Sequence, residues 1–293
     1  MIARKHFSSV SKFLSLCAVT LLSGCHSHMA LLDPKGPIGA HEKSLIITSF
    51  TLMMIVVIPV FFLAFYLPWK YRASNKRAPY APKWAHSTKI ELLIWLVPAL
   101  IIVVLGDVVW TSTHELSPFR PLASKKKPIN IEAVALDWKW LFIYPDQHIA
   151  TVNHIEFPTG VPVNFRITSD TVMTSFFIPR LGSQIYAMAG MQTEDHLQAD
   201  EPGVYTGRNA QFSGPGFSSM SFKAVATSRE QFERWVNRVK QTGTKLDLTA
   251  LKRLEKPSEG DSVTYYSDVV PHLFDTIINK YMNANVTSKK DHA

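Results

Sequence analysis

The chemistry open to this chain is bounded first by its sulfur and imidazole. Only two cysteines, Cys17 and Cys25, occur in 293 residues. Both lie before residue 26, so no later segment can supply a thiolate or close an internal disulfide. Eleven histidines are present, but none falls inside the two long apolar runs, Leu45 to Leu67 and Ile90 to Trp110. A haem buried in a bilayer would find no histidine ligand in those runs. Two acids do touch the second run. Glu91 stands at its start and Asp107 near its end. An ionisable group in a membrane segment is costly and often functional, so Glu91 is the candidate for proton chemistry. The plainer alternative is a hydrated glutamate ending a helix beside Lys89. Asp107 reads as an acid at headgroup level, and His154 and His196 read as ordinary domain residues.

The elements that hold these residues follow from the pattern of charge and apolarity. Arg4, Lys5 and Lys12 precede an apolar stretch, Phe13 to Leu22, too short to cross a bilayer. That is a secretory leader. Leu22-Ser23-Gly24-Cys25 places small residues before a cysteine, the arrangement of a lipoprotein signal, so Cys25 is the expected lipidated N-terminus. The alternative is an ordinary cleaved leader. Processing would leave one cysteine, and it would carry lipid. Cysteine-ligated copper is then excluded.

Leu45 to Leu67 has no charge and is long enough to span a hydrocarbon core of ~30 Å. Ile90 to Trp110 is a second span. Pro59 and Pro98 lie inside them, which membrane helices tolerate. Lys70, Arg72, Lys76, Arg77, Lys83 and Lys89 fall between the spans with no acid among them. Positive loops stay in the cytoplasm, so both flanks are exported. Leader and loop account for the net charge of +8, and a nucleic-acid partner is not implied.

Beyond a polar linker with Pro118, Pro121 and Lys125-Lys126-Lys127-Pro128, short β-type runs appear. They are Ile129 to Ala135, Asp137 to Tyr144, Val161 to Thr168, Val172 to Ile178, Gln184 to Met188, His196 to Ala199, Val204 to Thr206, and Met220 to Ala226. In the second, Trp138, Trp140, Phe142 and Tyr144 share one face. Many short strands at this spacing predict a sandwich or barrel. Ser228 with Gln231 predicts a capping box, followed by a helix through Phe232, Trp235, Val236 and Val239. Leu273 to Tyr281 predicts another helix, and Asn283 onward a frayed tail. The chain thus divides into a leader (1–24), an exported segment (25–44), a first span (45–67), a cytoplasmic loop (68–89), a second span (90–112), an exported β-domain (113–227) and a C-terminal helical extension and tail (228–293).

Two transmembrane α-helices in a hairpin, then an all-β cupredoxin-like sandwich with C-terminal α-helices, is the layout of subunit II of the haem-copper oxidases. Asp137-Trp138-Lys139-Trp140 resembles the aromatic stretch of that subunit, and Val172 to Pro179 the strand bearing its first histidine ligand. Gly207 to Met220 occupies the place of the copper-binding loop. Copper-bearing relatives carry C-x-E-x-C-x3-H-x2-M there. With Met220 on the methionine, Asn209 and Ser213 stand at the cysteines, Gln211 at the glutamate and Phe217 at the histidine. Thr174 stands at the strand histidine. Met220 alone survives, and it reads as core filling. Phe212-Ser213-Gly214-Pro215-Gly216-Phe217-Ser218, with Ser175 to Thr193, closely resembles subunit II of the cytochrome bo-type ubiquinol oxidases.

That resemblance implies a proton-translocating complex that oxidises ubiquinol and reduces dioxygen. Haems and catalytic copper are implied in a partner, subunit I, and no cofactor, metal or catalytic residue in this chain. Other subunits and membrane lipid are implied partners; cytochrome c is not. In related oxidases an acid of subunit II lies near the mouth of a proton path, the role Glu91 would fill. Trp138 and Trp140 are expected to pack rather than carry electrons. The implied location is a bacterial inner membrane, with a multi-pass lipoprotein whose C-terminal domain is periplasmic. Two competing readings are a copper-binding cytochrome c oxidase subunit II and a free membrane lipoprotein with a binding sandwich.

Overall fold

The computed structural model describes residues 29–290, so Cys25 and the leader lie outside the described residues. Two helices come first, α1 (Pro37–Lys70) and α2 (Thr88–Glu115). Both are long and apolar enough to cross a membrane, and neither apolar stretch is buried within this chain. Phe50, Ile58, Phe62, Leu92, Trp95 and Val103 all stand exposed, a surface that needs lipid or protein around it. α1 begins at Pro37, well before Leu45, because proline fits the first helical position, where its missing N–H is no loss.

The extra turns of α1 reach the β-domain. Lys35 N–H donates to Arg180 O at 2.7 Å and Gly39 N–H to Leu181 O at 3.0 Å. Gly36 is required here, since a Cβ would lie 2.1 Å from Gln198 O.

Thirteen strands follow in the order β1 (Ile129–Leu136), β2 (Lys139–Tyr144), β3 (Ile149–Val152), β4 (His154–Pro158), β5 (Val163–Ser169), β6 (Thr174–Phe177), β7 (Ile185–Ala187), β8 (Thr193–Leu197), β9 (Gly203–Asn209), β10 (Ser221–Thr227), β11 (Lys245–Leu246), β12 (Thr264–Tyr266) and β13 (Asp268–Val269). They make a six-stranded sheet, β12-β3-β2-β1-β5-β8, a five-stranded sheet, β4-β10-β9-β6-β7, and the small pair β11-β13. β1 runs parallel to β5, Ile129 opposite Val163, and β10 parallel to β4.

The two large sheets close over an aromatic core. Phe176 stacks on Phe222 at 5.2 Å, and Trp140 meets Phe176 edge-on at 5.5 Å. Burying each such ring is worth about 1.5–3 kcal/mol. The six-stranded sheet is covered on its other face too. Val134, Leu136, Leu141 and Ile143 pack there against Leu246, Leu251, Leu273, Phe274 and Ile277.

The segment after Ser228 is therefore built into the sandwich: it supplies β12 and the second cover. Its helices are α3 (Arg229–Lys240), α4 (Leu248–Leu254) and α5 (Leu273–Lys290). The capping box at Ser228 is present, Gln231 N–H to Ser228 Oγ at 3.3 Å and Ser228 N–H to Gln231 Oε1 at 3.2 Å. α5 continues to Lys290, past Asn283 where fraying was predicted. Strand β8 starts at Thr193, not His196. Trp138 is not in a strand at all. It sits at φ 64° in the turn between β1 and β2.

Candidate functional site

Strand β6, the end of β9 and the loop from Ala210 to Met220 converge on Asn209. Its side chain is buried and fully used. Oδ1 accepts from Ser175 N–H at 2.9 Å and from Gln211 N–H at 2.9 Å. Nδ2 donates to Ser213 Oγ at 3.0 Å and to the Met220 thioether at 3.4 Å. Two backbone donors facing one atom fix which end of the amide is oxygen. The backbone closes the same ring, with Asn209 N–H to Met220 O at 3.0 Å and Ala210 N–H to Ser175 Oγ at 2.9 Å.

The sequence-predicted positions are thus brought together. Asn209 and Ser213, at the two expected thiolate positions, are bonded to each other. Met220 is buried in the main core, as expected of filling, and it also accepts a hydrogen bond. Thr174 is buried with its hydroxyl unpartnered. Gln211 takes part only through its backbone N–H. Phe217 is half-buried and meets exposed Phe212 at 5.7 Å. This donor set does not fit a copper pair. It offers no thiolate and no imidazole, and its one soft ligand is already engaged by an amide.

The β1–β2 turn lids the loop. Trp138 Nε1–H donates to Ser213 O at 3.0 Å. Gly216 lies beneath the indole, and a Cβ there would sit 2.4 Å from Trp138 Cγ. Trp140 lies wholly inside the aromatic core. Both tryptophans pack within the chain.

Sequence reasoning passed over Lys139, which lies between them. Its ammonium is buried and reaches Asp261 at 3.1 Å, Lys256 O at 3.0 Å, Leu254 O at 3.2 Å and the Ser258 hydroxyl. Burial opposes ionisation of Asp261, but hydrogen bonds from Ser258 and Lys139 hold its carboxyl below the usual range. A cation in an otherwise apolar strand was the available signal, because a buried charge demands partners. Arg166, partly exposed, bridges Glu132 at 2.7 Å and Asp275 at 3.0 Å, tying β1 and β5 to α5.

The remaining predicted residues lie elsewhere. Glu91 is half-exposed in the first turn of α2, accepting from Ser87 N–H at 3.3 Å. Asp107 lines a groove of about 390 Å³ between α1 and α2 with His41, Ser44 and Thr111. His196 Nδ1 is 2.7 Å from Pro118 O, joining β8 to the segment after α2, and His154 Nε2 is 3.1 Å from Glu156, two residues along its own strand.

A two-helix hairpin carrying a sandwich of this topology defines the class. The family described as the periplasmic domain of cytochrome c oxidase subunit II matches residues 146–227, and the COX aromatic-rich motif matches residues 240–285. Subunit 2 of the cytochrome bo(3) ubiquinol oxidase of Pseudomonas aeruginosa is 56% identical over 270 residues, covering 92% of this chain and 81% of that protein. Ubiquinol oxidase subunit 2 of Acetobacter aceti is 50% identical over 287 residues, covering 97% of this chain and 92% of that one. The solved periplasmic domain of cytochrome oxidase subunit II from Bradyrhizobium japonicum is 20% identical with a TM-score of 0.38, over 45% of this chain and 99% of that one. The chain belongs to the ubiquinol oxidase subunit 2 family of the haem-copper oxidases.

Proposed function

We propose that this chain is the non-redox second subunit of a cytochrome bo-type complex, which oxidises ubiquinol, reduces dioxygen to water and translocates protons. The observation that carries the reading is Asn209. One amide ties Asn209 to Ser213 and Met220, three of the positions where copper-bearing relatives place metal ligands. A lipid-soluble donor delivers electrons without a relay in the exported domain, so subunit I, with its haems and copper, takes them directly. This chain then braces subunit I and caps its outer face.

In this reading the cations from Lys70 to Lys89 hold the hairpin loop in the cytoplasm of a bacterial inner membrane. The sandwich lies outside, and lipid on Cys25 anchors the same side. Glu91, at the cytoplasmic start of α2, stands at the entry of a proton path into subunit I. The test of the whole reading is mild-detergent solubilisation, followed by a haem spectrum, a subunit inventory and copper analysis of this polypeptide. A haem-bearing large subunit should co-purify, with no copper bound to this chain. A polypeptide that purifies alone, or one holding copper in stoichiometric amount, would defeat it. Glu91→Gln should slow turnover and lower proton pumping together. If both are unchanged, Glu91 is a helix-start acid and nothing more.

A further inference from the structure

We propose that the cleft where the helix pair meets the sandwich binds a phospholipid headgroup carrying a primary ammonium. The cleft has a volume of about 380 Å³ and is walled by the start of α1, the end of α2 with the segment after it, and β8. Asp195 lines it. That residue is only 6% exposed. Its Oδ1 accepts from His196 N–H at 3.0 Å, while its Oδ2 has no partner among the described residues. Burial pushes this carboxyl up to about 7, with Glu42 adding repulsion. A buried carboxylate oxygen left unpaired is costly, and native structures seldom leave one so.

Two more acids share the cleft, Glu42 and Glu115. Glu42 reaches the Ser183 hydroxyl. Three carboxylates, one of them unsatisfied, call for a cation with several N–H donors. A primary ammonium has three such donors; a trimethylated one has none. Arg120 stands exposed on the same rim and makes no ion pair among the described residues. It supplies the complementary partner for a phosphate. Ile38 and Leu116 add apolar wall.

Depth argues for lipid over a soluble amine. Glu42 lies three residues before the uncharged stretch that starts at Leu45, and Glu115 lies five after Trp110. That is the headgroup layer of any bilayer these helices cross. Acids, an exposed arginine and an apolar wall thus share one cleft, the three chemistries that a zwitterionic phospholipid presents.

The test is native mass spectrometry of the intact complex taken from nanodiscs of phosphatidylethanolamine, phosphatidylcholine or phosphatidylglycerol. The wild type should retain one more phosphatidylethanolamine than Asp195→Asn, and Arg120→Ala should weaken its retention about tenfold, the order of one charge-assisted hydrogen bond. Arg120 is exposed, so its variant folds whatever Asp195→Asn does. Equal phosphatidylethanolamine in all three proteins would overturn the proposal, as would equal retention of phosphatidylcholine. Loss of another subunit from Asp195→Asn with an unchanged lipid count would also overturn it, giving the cleft to a partner's lysine or arginine. Haem in the same spectra reports separately on membership of the oxidase.

Discussion

At Asn209 each polar atom of a buried side chain is spent on a partner inside the protein; at Asp195 one carboxylate oxygen has none among the described residues. Both residues are nearly hidden from solvent. The first region has become self-sufficient. An amide, a hydroxyl and a thioether satisfy one another where a metal would otherwise have cross-linked the loop. The second remains incomplete: acids gather at a cleft, and among the described residues the buried Oδ2 of Asp195 meets no partner. The Asn209 network needs nothing further to be satisfied, whereas a buried carboxylate oxygen without a partner calls for one.

The contrast breaks most visibly through pH. The carboxyl of Asp195 is raised by burial from its ordinary 3.8 to about 7. The folded chain therefore holds this proton at pH values where the unfolded chain has lost it. Its contribution is complete below about pH 4 and is lost as pH rises to about 7. Thermal unfolding of the full chain in lipid-free detergent should show stability falling across that window. Asp195→Asn should remove the fall, leaving the variant more stable above pH 7 by on the order of 4 kcal/mol. A wild type with no slope between pH 4 and 7 would place Asp195 in a better-hydrated setting than its burial implies.

Next in size is Asn209→Ala. It strips the acceptor from two backbone donors, Ser175 N–H and Gln211 N–H, the first of them buried. Each orphaned donor costs about 1–3 kcal/mol, so about 3 kcal/mol is expected. For a domain of this size that lowers the unfolding midpoint by roughly 6–12 °C. Gly216→Ala follows at about 2 kcal/mol, since its methyl must push the Trp138 indole aside. Indole displacement also frees the N–H from Ser213 O, and the tryptophan emission should shift to the red.

How far these residues could be foreseen depends on where their partners lie. The loop positions were legible through resemblance to the copper-binding loop of relatives, because Asn209, Gln211, Ser213, Phe217 and Met220 fall within one short motif. The two apolar helices and most strands were legible from local pattern. Strand β3 was not. Its ends turn at His148 and Asn153, both with positive φ, so no glycine or proline marks them. The apolar runs Ala133 to Leu136 in β1 and Trp140 to Tyr144 in β2 carried a further message, that both faces of their sheet are covered. What covers the second face lies more than a hundred residues downstream, so the C-terminal segment read as an appendage. Lys139 with Asp261, and Asp195 with Glu42, were hidden for the same reason. Their meaning is a pairing across the chain that no short window contains.

The smallest effect sharpens the contrast furthest. Ser213→Ala removes the other end of the Asn209–Ser213 bond, yet Ser213 is only half-buried and water can take the place of its hydroxyl. The loop backbone stays tied to Trp138 through Ser213 O, which the substitution leaves alone. The expected cost is therefore under about 1 kcal/mol, near the worth of a single neutral hydrogen bond. Ser213→Ala should therefore cost about a third of what Asn209→Ala costs, because it leaves the Oδ1 bonds to Ser175 N–H and Gln211 N–H in place. If Ser213→Ala instead unfolds the chain as readily as Asn209→Ala, water does not reach that hydroxyl. The serine and asparagine would then form one inseparable cross-link in the place of the metal, and the loop would be held by a bond between side chains rather than by the burial of an amide.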